Sequence, residues 1–316
     1  MPEATVNYVA QDIEPSLFRN GEVLTYRDRD GSDDGSKGVR VEASKVNVMD
    51  ARLAQAAGEV DLARSGFELL DESIGAGVDF LEHESVVRDL YPECEQLLAS
   101  ATGAQAFAFD HNIRYASGKQ TAQRIAGGQT VQGPAHMVHG DYTLRSARDR
   151  LQALSAPPGG NDTLKQFLAI GETAVPAELA DAALAGGRFA IINVWRNIAP
   201  EPVVRDPLAL CDGRSVSPEE LVVFEIHYKD RVGENYFARR ADSHAWYCYP
   251  EIRPDEALLI KQWDSAGTLA ASNGDKGDAA GDPHCTFSFH TAYTDPAQPE
   301  DAPERRSIEV RCAVLY

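Results

Sequence analysis

The chain has 316 residues, 43% of them hydrophobic, and 49 acidic against 30 basic side chains give a formal charge of −19. That length and apolar content support a sizeable core, and the charge speaks against nucleic acid and anionic membrane surfaces as partners. No apolar run approaches the roughly 18 residues of a membrane span, residues 1–50 hold no apolar leader, and five scattered cysteines without a C-x-x-C pair read as reduced thiols of a cytoplasmic protein.

Residues 4–10 alternate apolar and polar side chains and read as an edge strand. Residues 27–38 are charged and glycine-rich, a loop. Residues 39–47 alternate again, and 50–58 form a helix with an acidic start. Residues 67–70 fit a strand or a turn. An amphipathic helix is expected over 82–101, with Val86, Leu90, Cys94 and Leu98 on one stripe. Pro92 predicts a kink in it, and Gly103 its end. Residues 104–111 read as a buried strand, 112–118 as a turn and 119–133 as a polar loop.

Residues 144–187 look mainly helical, and 188–195 are an apolar strand. Pro200, Pro202 and Pro207 make 196–212 irregular. Ser217-Pro218-Glu219-Glu220 has the form of a helix start. Residues 221–228, 235–240, 245–249 and 257–263 are strand-length runs. Residues 266–283 are a Gly/Ala/Asp-rich loop read as mobile, and 284–291 and 307–315 are the last strands. This β-rich half has no βαβ rhythm. A mainly β fold with flanking helices is expected, its core a closed antiparallel barrel or a cupin-like jelly roll.

His139 and Asp141 stand two positions apart in Val138-His139-Gly140-Asp141. In an extended chain such side chains leave one face, so an imidazole and a carboxylate can reach one metal ion. A distant second histidine would complete the facial triad of non-haem Fe(II) sites, which keeps coordination positions open. His227, His244, His284 and His290 are the candidates, and His284 and His290 share a parity. Arg305, Ser307, Glu309 and Arg311 also share one parity, hence one strand face. An arginine fork beside a hydroxyl can hold a carboxylate by paired charge-assisted hydrogen bonds. The plain alternative is a charged edge strand.

Several segments run in order over residues 100–316: His139-Gly140-Asp141-Tyr142-Thr143, Asn193-Val194-Trp195-Arg196, Pro207-Leu208-Ala209-Leu210-Cys211-Asp212, Trp246-Tyr247-Cys248-Tyr249-Pro250, His290-Thr291-Ala292-Tyr293 and Arg305-Arg306-Ser307-Ile308-Glu309-Val310-Arg311. Together they resemble the Fe(II)/2-oxoglutarate-dependent oxygenases of the gibberellin desaturase and cephamycin-methoxylation type, which include fungal secondary-metabolite oxygenases. The resemblance implies a double-stranded β-helix. It implies His139, Asp141 and His290 as iron ligands, and Arg305 and Ser307 as an R-x-S clamp on 2-oxoglutarate. Arg311 and Arg196 become neighbours of that pocket. The long spacing from His290 to Arg305 leaves open whether Arg305 or Arg311 is the main clamp.

On this reading residues 1–316 form one oxygenase domain. Residues 1–103 are an N-terminal strand and helix extension, and 104–316 are the core, with a helical insertion at 144–187. Fe(II), 2-oxoglutarate and O2 are the cofactor and co-substrates. A small secondary metabolite would be hydroxylated, desaturated or cyclised, with succinate and CO2 as co-products. Arg114, Tyr115, Tyr142 and Trp195 are candidates for the substrate pocket, and Tyr142 and Thr143 for orienting a ligand. Trp195 also reads as core, and Arg196 as a partner of an acidic residue such as Asp212. The sequence permits a homodimer. Two other functions fit the residues: an accessory subunit to a biosynthetic methyltransferase, and a cupin-like metal enzyme that does not use 2-oxoglutarate.

Overall fold

The computed structural model describes residues 3–27, 33–75, 77–160, 162–229 and 231–316. Its strands in chain order are β1 (Glu3–Val9), β2 (Leu24–Arg27), β3 (Asp33–Lys37), β4 (Val41–Asp50), β5 (Phe67–Asp71), β6 (Gln105–Arg114), β7 (His139–Gly140), β8 (Phe189–Asn197), β9 (Leu208–Cys211), β10 (Leu221–His227), β11 (Val232–Ala238), β12 (Trp246–Cys248), β13 (Glu256–Asp264), β14 (His290–Ala292) and β15 (Ser307–Leu315). They build two sheets. The larger runs β1-β4-β12-β9-β14-β7-β11-β10-β2-β3, and the smaller β5-β13-β8-β15-β6.

The alternation along β15 explains why the sheets face each other. Ile308, Val310, Cys312 and Val314 point outward and pack with Tyr91, Cys94 and Leu98 of the helix Tyr91–Thr102. Ala313 and Leu315 point the other way, into a core shared with Phe189 and Ile191 of β8 and Ala209, Val223 and Tyr236 of the larger sheet. All nine residues of β8 are buried. Each large apolar side chain so placed stabilises the fold by roughly 1.5–3 kcal/mol. Ser307, Glu309 and Arg311 share the inward parity but meet polar neighbours, and that break in the apolar interior is where the site lies.

The segment before residue 104 extends both sheets. Strands β1 and β4 lie beside β12, β2 and β3 beside β10, and β5 beside β13. The helix Ala51–Ala56 starts at Asp50, whose carboxylate accepts from the amides of Arg52 and Leu53. The expected kink at Pro92 takes the form of a π-helical segment, Val86–Leu90, before Tyr91–Thr102. Proline lacks an N–H and cannot continue the i→i−4 ladder, and the wider turn, with the Tyr91 amide donating to the Val86 carbonyl, falls just ahead of it. Gly103 closes this helix with φ +70°, as its position suggested.

Several readings of the sequence change: the expected strand at 284–291 shortens to His290–Ala292, and β6 runs on to Arg114 into the expected turn at 112–118. Part of 27–38 lies outside the described residues, but Asp33–Lys37 is a strand paired to β2 rather than a loop. Within the proline-rich 196–212 stretch, Leu208–Cys211 is a buried strand, because Pro207 stands just ahead of an apolar run that pairs with β12 and β14. Residues 144–187 hold two helices, Ser146–Leu154 and Ala177–Leu184, and much irregular chain between them. Residues 266–283 contain the helix Thr268–Ala271 and are pinned to the core. The buried Asp278 carboxylate accepts from the amides of Leu269 and Thr286 at 3.2 and 2.6 Å.

The run 285–289 leads into β14 and is held closely. Gly267 faces Thr286 so tightly that a Cβ there would meet its amide nitrogen and hydroxyl. Gly267→Ala should therefore destabilise the protein by about 1–3 kcal/mol in chemical denaturation. An unchanged midpoint would show that the 285–289 run yields freely.

Candidate metal centre and its anion pocket

The two sheets bring the triad together from opposite ends of the sequence. His139 on β7 and His290 on β14 are direct cross-strand partners, with ring centroids 4.3 Å apart. Asp141 follows β7 in an irregular turn, and its Oδ1 lies 3.7 Å from His139 Nε2. One ligand atom from each of His139, Asp141 and His290 lies within 4.8 Å of the others, and among the described residues this is the group of that kind.

Each ligand is oriented by its surroundings. His139 Nδ1 donates to the Met137 carbonyl at 2.7 Å, which leaves the Nε2 lone pair toward Asp141. Burial, then the neighbouring His139, push the His290 imidazole down to about 4, so it is neutral near pH 7, the form that binds metal. Its Nδ1 is buried without a partner. Burial works against the charge on Asp141, but Arg311, His290, His139 and the Asn193 amide hold its carboxyl well below the usual range. Asn193 Nδ2 donates to Asp141 Oδ2 at 3.1 Å and Arg311 Nε to the same oxygen at 3.3 Å. Gln262 Oε1 accepts the Asp141 amide at 3.2 Å.

This donor set fits a divalent metal. Two neutral imidazoles and one anionic carboxylate converge, and Asp141 keeps Oδ1 clear while Oδ2 is occupied. The charge around it agrees. Arg311 alone serves three carboxylates, Asp141, Asp110 at 3.1 Å and Glu309 at 2.8 Å. Arg114 reaches only Glu309 of these, at 3.5 Å, so Asp141 shares its close cation with two other carboxylates and a divalent ion would fit beside it.

Beside the triad opens a narrow pocket. Arg114, His139, Trp195, Leu208, His290, Arg305 and Glu309 are among its walls. Arg305 is 3% exposed. Its Nη1 donates to the Asp206 carbonyl at 2.6 Å, while its Nε is buried without a partner. Burial, and then the nearby Arg114, push the Arg305 guanidinium down to about 10. Ser307 Oγ is also buried and unpartnered. An arginine and a hydroxyl with free donors, buried beside a metal centre, form a ready carboxylate site.

Other expected residues fall in different places. Arg311 is saturated by its three carboxylates, so of the two clamp candidates the geometry favours Arg305. Arg196 is not brought into the pocket. It points to the outer face of β8, donates to the Glu72 carbonyl and lies near Cys94; Asp212 pairs with Arg214 instead. Trp195 lines the pocket and stacks near Arg305, its ring centroid 5.8 Å from the guanidinium carbon. Tyr115 turns away and donates to Gln123 Oε1 at 2.6 Å. Tyr142 packs against the inter-sheet core, where burial raises its hydroxyl to about 12. Thr143 bonds Glu234 and Ser146 and no triad residue.

The other histidines have partners of their own. His227 bonds Glu225, His244 bonds Tyr8 and Glu220, and His284 lies 3.2 Å from Arg188. Sequence reasoning missed Gln262, Glu309 and Asp110 as parts of the site, and gave Asn193 no role. The available signal was a single amide inside an apolar strand, Ile192-Asn193-Val194 and Lys261-Gln262-Trp263. Buried amides of that kind answer a buried partner.

Two facing, mainly antiparallel sheets with a two-histidine, one-carboxylate centre between them define a double-stranded β-helix protein of the non-haem metal class. The chain belongs to the family described as YDMC, oxidoreductase/YMDC permease-like domain, which it matches over residues 6–315. No helix among the described residues is long and apolar enough to cross a membrane. It is 43% identical over 199 residues to an uncharacterized protein in the dcmA 3′ region of Methylophilus leisingeri, spanning 62% of this chain and 90% of that one. It is 28% identical over 291 residues to the alpha-ketoglutarate-dependent dioxygenase phiK of a fungal species, spanning 89% and 87%. Among solved structures it is similar to the iron and alpha-ketoglutarate-dependent endoperoxidase NvfI, with a TM-score of 0.71 at 23% identity over 99% of this chain and 97% of that one. That likeness shows the fold.

The different settings of the two arginines predict different costs. Arg311→Met takes the closest cation from three carboxylates that are largely enclosed, and should destabilise the protein by about 3–5 kcal/mol in denaturant melts. Arg305→Met removes a buried charge with one protein partner and should cost less than about 1 kcal/mol. Equal losses would contradict the separation of roles.

Proposed function

We infer that this chain is an Fe(II)- and 2-oxoglutarate-dependent oxygenase acting on a small organic molecule. One observation carries the reading: His139 and His290 of the His139–Asp141–His290 centre line one pocket with Arg305, whose Nε is unpaired, and the unpaired Ser307 hydroxyl is buried two residues further along the chain. Bound iron would supply the redox chemistry that couples decarboxylation of the 2-oxo acid to oxidation of the substrate by O2.

The chain's own residues do the rest. His139, Asp141 and His290 hold the metal from one side and leave the pocket side free. The Met137 carbonyl, Asn193, Gln262 and Arg311 fix where those ligands point. Arg305 and Ser307 hold the remote carboxylate of 2-oxoglutarate, and so set which end of that molecule meets the metal. Trp195, Leu208 and Ala292 form apolar wall and limit water. An accessory subunit has no use for free clamp donors beside an intact triad. The outcome on the substrate, hydroxylation, desaturation or cyclisation, follows from how the substrate is seated.

We place all of residues 1–316 in one oxygenase domain, its N-terminal strands continuing both sheets of the core. Five free, buried cysteines support the cytoplasmic placement.

His139→Ala and Asp141→Ala should abolish iron-dependent conversion of 2-oxoglutarate to succinate while circular dichroism and the melting transition show a folded protein. Succinate formation at the wild-type rate in either variant would sink the assignment.

A further inference from the structure

Arg114 ends β6, directly across from Ser307 on β15 in the register of the smaller sheet. Arg305 stands two residues before Ser307 and enters the same pocket. Two guanidinium groups therefore flank one unpartnered hydroxyl, and Arg305 is buried together with that hydroxyl. Like charges so placed repel, and the Arg305 guanidinium is lowered partly by Arg114. A pair of cations is stable there when an anion joins them.

The protein partners of Arg114 do not use up its charge. Its Nη1 donates to the Gly133 carbonyl at 3.2 Å. Its Nη2 reaches Glu309 Oε1 only at 3.5 Å, the limit of bonding. Glu309 is already served better, by Arg311 Nη2 at 2.8 Å and Asn112 Nδ2 at 3.2 Å. Arg114 is thus a weak third partner for that carboxylate and has donors to give a ligand.

We propose that Arg114 is a second arm of the co-substrate clamp, so that the remote carboxylate of 2-oxoglutarate sits between Arg114 and Arg305 over Ser307. This rests on the oxygenase reading above and assigns Arg114 to the co-substrate, not to the substrate being oxidised. The asymmetry of the cavity agrees. Asp110 and Asp141 stand with Arg311 at the triad end, Glu309 reaches both Arg311 and, more weakly, Arg114, and Arg114 and Arg305 stand at the other end. A 2-oxo diacid matches that polarity, one end on the metal and the other on the arginines.

The test compares two ligands by calorimetry on Fe(II)-loaded protein without oxygen. One is 2-oxoglutarate, and the other 2-oxopentanoate, which has a methyl where the remote carboxylate stands. Wild type should prefer 2-oxoglutarate. Arg114→Gln should weaken 2-oxoglutarate about tenfold or more and leave 2-oxopentanoate unchanged. Arg114→Lys keeps the charge but loses the fork, and should show a smaller loss confined to 2-oxoglutarate. Equal weakening of both ligands, or of neither, overturns the proposal. If Arg305→Gln erases the preference and Arg114→Gln does not, the second arm is wrong and the oxygenase reading stands. If wild type shows no preference, both fall.

Discussion

Asp141 lies in the turn after β7, yet two of its hydrogen bonds come from the opposite sheet. Asn193 on β8 and Arg311 on β15 both donate to Oδ2. These bonds do two things at once. They tie the sheets together at a point where an apolar core would otherwise run through, and they hold one carboxylate oxygen away from its neighbours so that the other stays available. A buried carboxylate is costly unless it is paired. Here the Arg311 partner is shared with Asp110 and Glu309, and among the described residues only Glu309 of the three pairs with a second arginine, Arg114 at 3.5 Å, so a divalent cation beside Asp141 would add to the balance. That shared charge, together with the two histidines, marks where a divalent metal would be held.

The clamp end shows the converse. Arg305 is buried with one carbonyl partner, an unpaired Nε and a neighbouring cation. Asp206, whose carbonyl holds it, has φ +49°, a left-handed conformation that non-glycine residues rarely adopt. A protein optimised only for stability would have satisfied or removed these groups. Buried, unpaired donors on Arg305 and Ser307, one of them held by a strained residue, fit a site kept ready for a ligand.

Much of this was legible in the sequence, and the reason is periodicity. The inward parity of Arg305, Ser307, Glu309 and Arg311 and the spacing of His139 and Asp141 are local, and local patterns survive without coordinates. The choice of His290 over His227, His244 and His284 was not. It depends on β14 pairing with β7, a contact between residues far apart in the chain, and only the resemblance pointed to it. Arg196 misled because an arginine next to a pocket tryptophan sits on the opposite face of the same strand. Arg311 could not be told from Arg305 because they share a face, and only their partners separate them. The strand at Leu208–Cys211 was hidden by the prolines before it. The loop at 266–283 looked mobile because its small residues conceal how firmly Asp278 pins it.

The most direct test is an anaerobic titration of the metal-free protein with Fe(II) and then 2-oxoglutarate, followed by visible absorption. The weak charge-transfer band of an iron-bound 2-oxo acid should grow to one equivalent, and be lost in His290→Ala. Iron binding with no band on adding 2-oxoglutarate would contradict the account, and would move this centre to a metal chemistry that does not use the co-substrate.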